Sequence, residues 1–370
     1  MRPHATTGPV LIVGCGLMGA SAGLALTARK VAVQLEDSSP TALAVAVQVG
    51  AGQARDDKAP APKLVIVATP PDVTARVVVE QLKAQPEAVV TDLASVKAAI
   101  FDELAQGAKD DGLDLGRYVG SHPMAGKERS GPAAATADLF TGRPWVIAAT
   151  DQTNQDSTLA VRDLAIDLGA TVHYLEPAAH DAAVALVSHV PQVVASLVAA
   201  RLQDASPQAL ELAGQGLRDV TRIAKSDPAL WAAILTSNGP VVAAQLRAIT
   251  ADLERAAATL EAANRPKALG QSLLEISSLM IAGNRGAERI PGKHGGAQIA
   301  FDQLTVVVPD RVGALAGLFA LLDQLKVNLE DLNLEHAAGQ AVGLATLSVP
   351  QGRGGQLSAE LELHGWKCLV

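Results

Sequence analysis

The chain has 370 residues, of which 49% are hydrophobic and 18% charged, and its net charge is −8 at pH 7. That balance excludes a disordered chain, which needs low hydrophobicity and high charge, and argues against a polyanionic partner such as DNA. Aromatic residues are scarce, with four Phe, two Tyr and three Trp, so stacking platforms for single-stranded nucleic acid are not expected and cores must be built from Ala, Val and Leu.

Length alone suggests two or three domains. The first half alternates β-rich runs with helical stretches, the pattern of a parallel sheet covered on both faces. Candidate strands are Val10–Val13, Val31–Leu35, Leu64–Ala68, Ala88–Thr91, Tyr118–Gly120, Trp145–Ala149 and Val172–Leu175. From about Ala178 to Gly283 the β signal stops and Ala/Leu-rich periodic stretches predict an all-helical domain. A Gly- and charge-rich stretch carrying Arg289 and Lys293 follows, and the last 70 or so residues return to an α/β pattern. The expected boundaries are 1–176 for a nucleotide-binding domain, 177–285 for a helical domain, 286–298 for a linker and 299–370 for a small α/β domain. Two apolar runs invite a membrane reading. Residues 9–28 carry glycines at the spacing of a nucleotide loop, and Ala182–Ala200 has Ser188, His189, Pro191 and Gln192 at its centre. Neither suits lipid, so no membrane association is expected. Cys15 and Cys368 are the only cysteines. They permit no disulfide framework and no cysteine-based zinc site, so no metal is expected and a reducing cytoplasm is.

The segment VLIVGCGLMGASAGLALT reads as a strand, then Gly14-x-Gly16-x-x-Gly19, then a helix. The first glycine makes the tight turn and the second lets a pyrophosphate approach the backbone. The third allows close helix–strand packing, with the phosphates on the helix N-terminus. A second strand ends in Glu36 and Asp37, where a carboxylate would accept hydrogen bonds from ribose hydroxyls and repel a 2′-phosphate. NAD is therefore expected rather than NADP, held by Gly14, Gly16, Leu17, Met18, Gly19 and Asp37, with Asp37 chosen over its neighbour Glu36.

In open α/β sheets ligands lie beyond the carboxyl ends of strands. One such end carries Asp92, Ser95 and Lys97, and the next carries Ser121, His122 and Glu128. Ser95 reads as a helix N-cap or a site residue. His122 reads as a turn residue before proline or as a general base beside the nicotinamide. In the helical domain His189 and Gln192 share a face, and Pro191 between them should kink the helix. Arg218 and Arg222 stand one turn apart with Lys225 adjoining, either a solvated basic stripe or, with Asp219, a buried ion network.

Taken together, the glycine loop, DLASVK, GSHPMAGKERSG, LFTGRPWV, HD…SHVPQ and RDVTRIAKSDPALW resemble the prephenate/arogenate dehydrogenase family of tyrosine biosynthesis, in family order over roughly residues 9–285. The resemblance implies a Rossmann-type NAD-binding domain followed by an all-α dimerisation domain, hence a homodimer. It further implies that His122 accepts the substrate ring-hydroxyl proton, that Ser95 orients His122, and that Arg222 holds a substrate carboxylate. His189 and Arg218 match further pocket positions, and Glu128 an acidic residue gating the pocket. Many members carry a second His where this chain has Gln192, which leaves the pyruvyl or alanyl side chain, prephenate or arogenate, open. The segment LTVVVPDRVGALAGLFALL resembles an ACT domain, a βαββαβ ferredoxin-like module. That implies an amino-acid site at Asp310, Arg311 and Gly313, with tyrosine as the expected effector, or else a purely structural dimerisation module. The expected function is NAD-dependent oxidative decarboxylation of prephenate. The alternatives are arogenate oxidation and a non-catalytic NAD- and amino-acid-binding regulator.

Overall fold

A computed structural model describes residues 5–369 with the exception of 57, 128, 266, 292–300 and 337–341. Glu128 and Lys293 lie outside the described residues. The chain falls into two compact units, Met1–Ala251 and Asp252–Val370.

The first unit opens with β1 (Val10–Val13), α1 (Leu17–Ala28), β2 (Val33–Glu36), α2 (Pro40–Gln48), β3 (Gln53–Ala54), β4 (Leu64–Val67), α3 (Pro71–Ala84), β5 (Val89–Asp92) and α4 (Ala98–Asp111). It continues with β6 (Tyr118–Pro123), β7 (Pro144–Ala148), α5 (Gln155–Asp167) and β8 (Thr171–Tyr174). The strands form one sheet in the order β3-β2-β1-β4-β5-β6-β7-β8. The central strands read as uninterrupted apolar runs, VLIV and LVIV, because helices cover both faces. Successive side chains serve opposite cores. Val10 and Ile12 pack with Ala22, Leu26, Trp145 and Val161. Leu11 packs with Val65, Val67, Val78, Leu104 and Tyr118 on the other face.

The expected parallel sheet is in fact mixed, for β7 runs antiparallel to β6, pairing His122 with Val146. Among its described residues, the link between them has a single 3-10 turn at Pro132–Ala134 and no α-helix. Without a crossover helix the chain comes back antiparallel.

Helices follow: α6 (Pro177–Val184), α7 (Val190–Ala200), α8 (Pro207–Glu211), α9 (Gln215–Arg222), α10 (Pro228–Ser237) and α11 (Gly239–Ala262). Pro191 does not break its helix. A π turn over Ala185–His189 precedes it, and helical structure runs on from Pro177 to Asp204. Wide turns of this kind occur mostly at functional sites. By length and its mean hydropathy of 1.8 this run could cross a bilayer. Its inward face, however, buries His180, Asp181, His189 and Gln192, while Leu186, Val187 and Leu197 are exposed.

The second unit holds the end of α11, α12 (Leu269–Ala287), β9 (Phe301–Pro309), α13 (Ala314–Gln324), β10 (Asp331–His336), β11 (Val342–Pro350), α14 (Gly354–Leu363) and β12 (Lys367–Leu369). From β9 onward the element order is βαββαβ, and the strands form an antiparallel sheet in the order β10-β11-β9-β12. Alternate residues of β9, Leu304, Val306 and Val308, meet Leu318, Leu347 and Leu357 in its core.

Candidate active site

The turn from β1 to α1 is held by glycine for a geometric reason. Gly14 has φ of +100°, and a Cβ there would stand 2.5 Å from the Ala68 carbonyl oxygen. A Cβ at Gly19 would stand 2.0 Å from the Gly14 carbonyl oxygen, so α1 can start against the loop only if that position is bare. Gly16 is different: nothing lies within 4 Å of its missing Cβ. It caps α1 with no side-chain bond, and no acidic residue sits in the first turn. The result is an open, electropositive helix N-terminus suited to a diphosphate.

Gly14, Gly16, Leu17 and Met18 line a cleft of about 1130 Å³ together with Glu36, Asp37, Ser95 and His122. Asp37 Oδ2 accepts the Cys15 N–H at 2.5 Å and Oδ1 accepts the Ser39 N–H at 2.7 Å, so the carboxylate is braced on the glycine loop. Glu36 instead pairs with Arg55 at 3.2 Å. Local spacing could not reveal Arg55, which arrives from the end of the two-residue strand β3. Asp37→Ala is expected to weaken NAD binding by about 10- to 100-fold, the worth of a hydrogen bond to a charged group. Glu36→Gln should change it little, and calorimetric titration with NAD measures both.

His122 is half-buried at the end of β6. Its Nδ1 lies 2.9 Å from His180 Nε2, and His180 Nδ1 lies 2.8 Å from Asp181 Oδ1. The expected contact with Ser95 is not made. Ser95 Oγ is buried and has no hydrogen-bond partner, and Ser95 is not the cap of α4 either. Asp181, 83 and 84 residues further along, takes that role by accepting the Ala98 and Lys97 N–H groups at 2.8 Å each. Burial alone would raise the Asp181 pKa, but the His180 bond and those two amides outweigh it and hold the carboxyl below its ordinary value.

Beneath His122 the buried Lys97 ammonium pairs with Asp92, whose other oxygen accepts the Tyr118 hydroxyl at 2.7 Å. Burial pulls the Lys97 pKa down even against the nearby carboxylates. The His122 pKa is driven well below its ordinary value, first by burial and then by His180, Lys97 and His189. A neutral imidazole on a cleft wall can accept a proton.

His189 and Gln192 are both buried. Asn238 Nδ2 donates to the Asp181 carbonyl at 2.9 Å and lies 3.2 Å from His189 Nδ1, tying His189 to the same network. Gln192 Oε1 lies 3.4 Å from Ser226 Oγ. Arg218, Asp219, Arg222 and Lys225 are exposed, and none of them lines the cleft. The alternative of a buried ion network there is therefore corrected. Asp219 accepts from Gln215 Nε2 at 2.8 Å, and a buried ion pair is formed elsewhere, by Lys97 with Asp92. In the second unit Asp310, Arg311 and Gly313 line a separate cavity of about 210 Å³ at the junction of β9 and α13.

Residues 22–174 match the family described as "Prephenate dehydrogenase, nucleotide-binding domain", and residues 176–275 match "Prephenate dehydrogenase, dimerization domain". A relative from Streptomyces niveus, "Probable prephenate dehydrogenase NovF", is 32% identical over 96% of this chain and 98% of its own. The chain belongs to the prephenate dehydrogenase family. A solved prephenate dehydrogenase from A. aeolicus, in complex with hydroxyphenyl propionate and NAD+, is similar with a TM-score of 0.61 and 27% identity, covering 74% of this chain and 97% of that one. A Synechocystis arogenate dehydrogenase is similar with a TM-score of 0.59 and 26% identity, covering 75% and 99%.

Membership makes the chain an NAD-dependent oxidoreductase, and its residues fit that cofactor. The bare Gly16 face leaves room for a diphosphate, the Asp37 carboxylate lines the same cleft braced on the glycine loop, and the Ser95 hydroxyl lacks a partner on the cleft wall.

The neutral histidines carry a stability prediction. A His whose folded pKa lies below its unfolded value binds fewer protons when native, so its contribution is full above the unfolded value and lost as pH falls. Burial lowers His189 from 6.5 to about 4, with Asp181 pulling the other way and neighbouring His180 adding a smaller push in the direction of burial. Thermal midpoints should therefore fall through that window. His189→Gln is expected to flatten the fall, as unfolding scans at stepped pH would measure.

Proposed function

We propose that the chain catalyses NAD-dependent oxidative decarboxylation of prephenate to 4-hydroxyphenylpyruvate. The observation that carries this reading is a neutral histidine, His122, on the same cleft wall as the glycine loop and Asp37. Bound NAD, held by the glycine loop and Asp37, would supply the acceptor for the hydride that leaves the ring carbon. His122 takes the proton from the hydroxyl on that carbon. When the ring carboxylate leaves as carbon dioxide, its bonding electrons make the ring aromatic and the former hydroxyl oxygen becomes a phenolate. His122 returns the proton there, so no net proton is released. Ser95, with its unpartnered hydroxyl, is assigned to hydrogen-bond the ligands in the cleft. Arg222, exposed and outside the cleft lining of the single chain, is assigned on the family resemblance to a substrate carboxylate, orienting it without stabilising the departing group. Arg218, His189 and Gln192 are assigned to the pocket, and Glu128 to its gate.

A second substrate is favoured by one residue. Gln192 is buried and carries no charge, so it discriminates weakly between a pyruvyl and an alanyl side chain. Arogenate is the alternative, with tyrosine as the direct product. Comparing kcat/KM for the two purified substrates decides between them.

The cavity at Asp310, Arg311 and Gly313 supports feedback by tyrosine through an ACT-type module. Arg311→Gln is expected to abolish tyrosine inhibition and leave uninhibited turnover unchanged; wild-type kinetics insensitive to tyrosine would make the module structural. The exposed Leu186, Val187 and Leu197, on a domain whose family is described as dimerising, support a homodimer.

A further inference from the structure

A proton acceptor must present an unprotonated nitrogen to the substrate hydroxyl, and a neutral imidazole has only one. Which nitrogen that is depends on what the other one meets. In this fold the choice is made by a chain of partners behind His122. Asp181 accepts two backbone N–H groups at the start of α4 and is therefore an ionised, acceptor-only carboxylate. The His180 Nδ1 beside it, at 2.8 Å, must donate. With Nδ1 donating, His180 presents Nε2 as the acceptor of this contact, and His122 Nδ1, 2.9 Å away, carries the proton. The opposite edge of His122, with Nε2, is the one left for the cleft.

We propose that His180, anchored by Asp181, is a positioning residue that holds His122 as the Nδ1–H tautomer with its Nε2 lone pair free for the substrate hydroxyl. This rests on the proton-accepting role given to His122 above. When the substrate O–H bond breaks and the Nε2–H bond forms, Nδ1 keeps its proton. Its bond to His180 becomes charge-assisted and stronger. His180 and Asp181 exchange no proton. They work as the aspartate does in serine-protease triads, setting tautomer and orientation without being protonated. His180 is fully buried and Asp181 nearly so, which keeps water from substituting for either.

Histidine-labelled full-length protein without substrate tests this by two-bond nitrogen–proton correlation spectra, which read each ring's tautomer. His122→Asn and His180→Gln variants assign the signals. Nδ1–H is expected at both His122 and His180; an Nε2–H His122, or a doubly protonated His180, overturns the proposal. A kinetic arm separates positioning from packing. His180→Leu removes the acceptor and should lower kcat about 10²-fold with the KM for prephenate nearly unchanged. His180→Gln, whose amide oxygen can still accept from Nδ1–H, should restore turnover to within about tenfold of wild type. Equal kcat losses in the two variants, or a change confined to KM, would count against it. If His180→Leu does not fold, the spectra of the wild type still decide. A wild type that forms no NADH from prephenate but shows the expected tautomers would defeat the proposed function and leave only the tautomer assignment standing.

Discussion

His122→Asn is expected to lower kcat by about 10²–10⁴-fold, the usual contribution of a positioned general base. Asparagine can keep a polar contact toward His180 but cannot accept a proton at working pH. The glycine loop and Asp37 lie on other strands and do not depend on the imidazole, so NAD affinity should be unchanged. Stopped-flow NADH formation gives the first quantity and calorimetry the second. Loss of NAD binding in parallel with kcat would mean the substitution disturbs the cleft as a whole. Near-wild-type turnover would remove His122 from the chemistry.

The second large effect falls on stability. Lys97 and Asp92 form a fully buried ion pair, and removing one partner leaves the other charge uncompensated in the interior. Breaking such a pair costs about 3–5 kcal/mol. Lys97→Met is therefore expected to lower the midpoint of the first unfolding transition by roughly 6–20 °C, at 2–4 °C per kcal/mol for a unit of this size. Adding Asp92→Asn removes the orphaned charge, and the double variant should recover much of the loss. A double variant no more stable than Lys97→Met alone would show that Lys97 acts through packing rather than charge. Because Lys97 is the N-cap residue of α4, the same substitution should also loosen the Asp181 cap.

Legibility in the sequence followed distance along the chain. The turn from β1 to α1 was readable because its constraint is local: the glycines that meet Ala68 and Gly14 oxygens lie within a few residues of one another or beside the next strand. The choice of Asp37 over Glu36 was likewise a local matter, and the bracing of Asp37 by the Cys15 amide fits it. What was not readable is what the fold brings in from afar. Asp181 caps α4 from 83 residues away, Asn238 reaches Asp181 across 57, and His122 meets His180 across 58. No spacing rule joins such positions: Ser95 reads locally as the cap of α4, a role Asp181 performs, and the contact with His122 that the resemblance implies for Ser95 is made by His180. The reversed strand β7 was missed for a related reason: direction depends on the connection, and its apolar PWVIA run reads the same either way. Arg218 and Arg222 illustrate the limit of periodicity, which puts them on one helix face without saying what that face meets.

The most direct measurement follows NADH and carbon dioxide together in one reaction of the full chain with NAD+ and prephenate. Equal amounts of both are expected, with 4-hydroxyphenylpyruvate as the aromatic product. NAD binding without NADH formation from either prephenate or arogenate would contradict a catalytic role for the cleft.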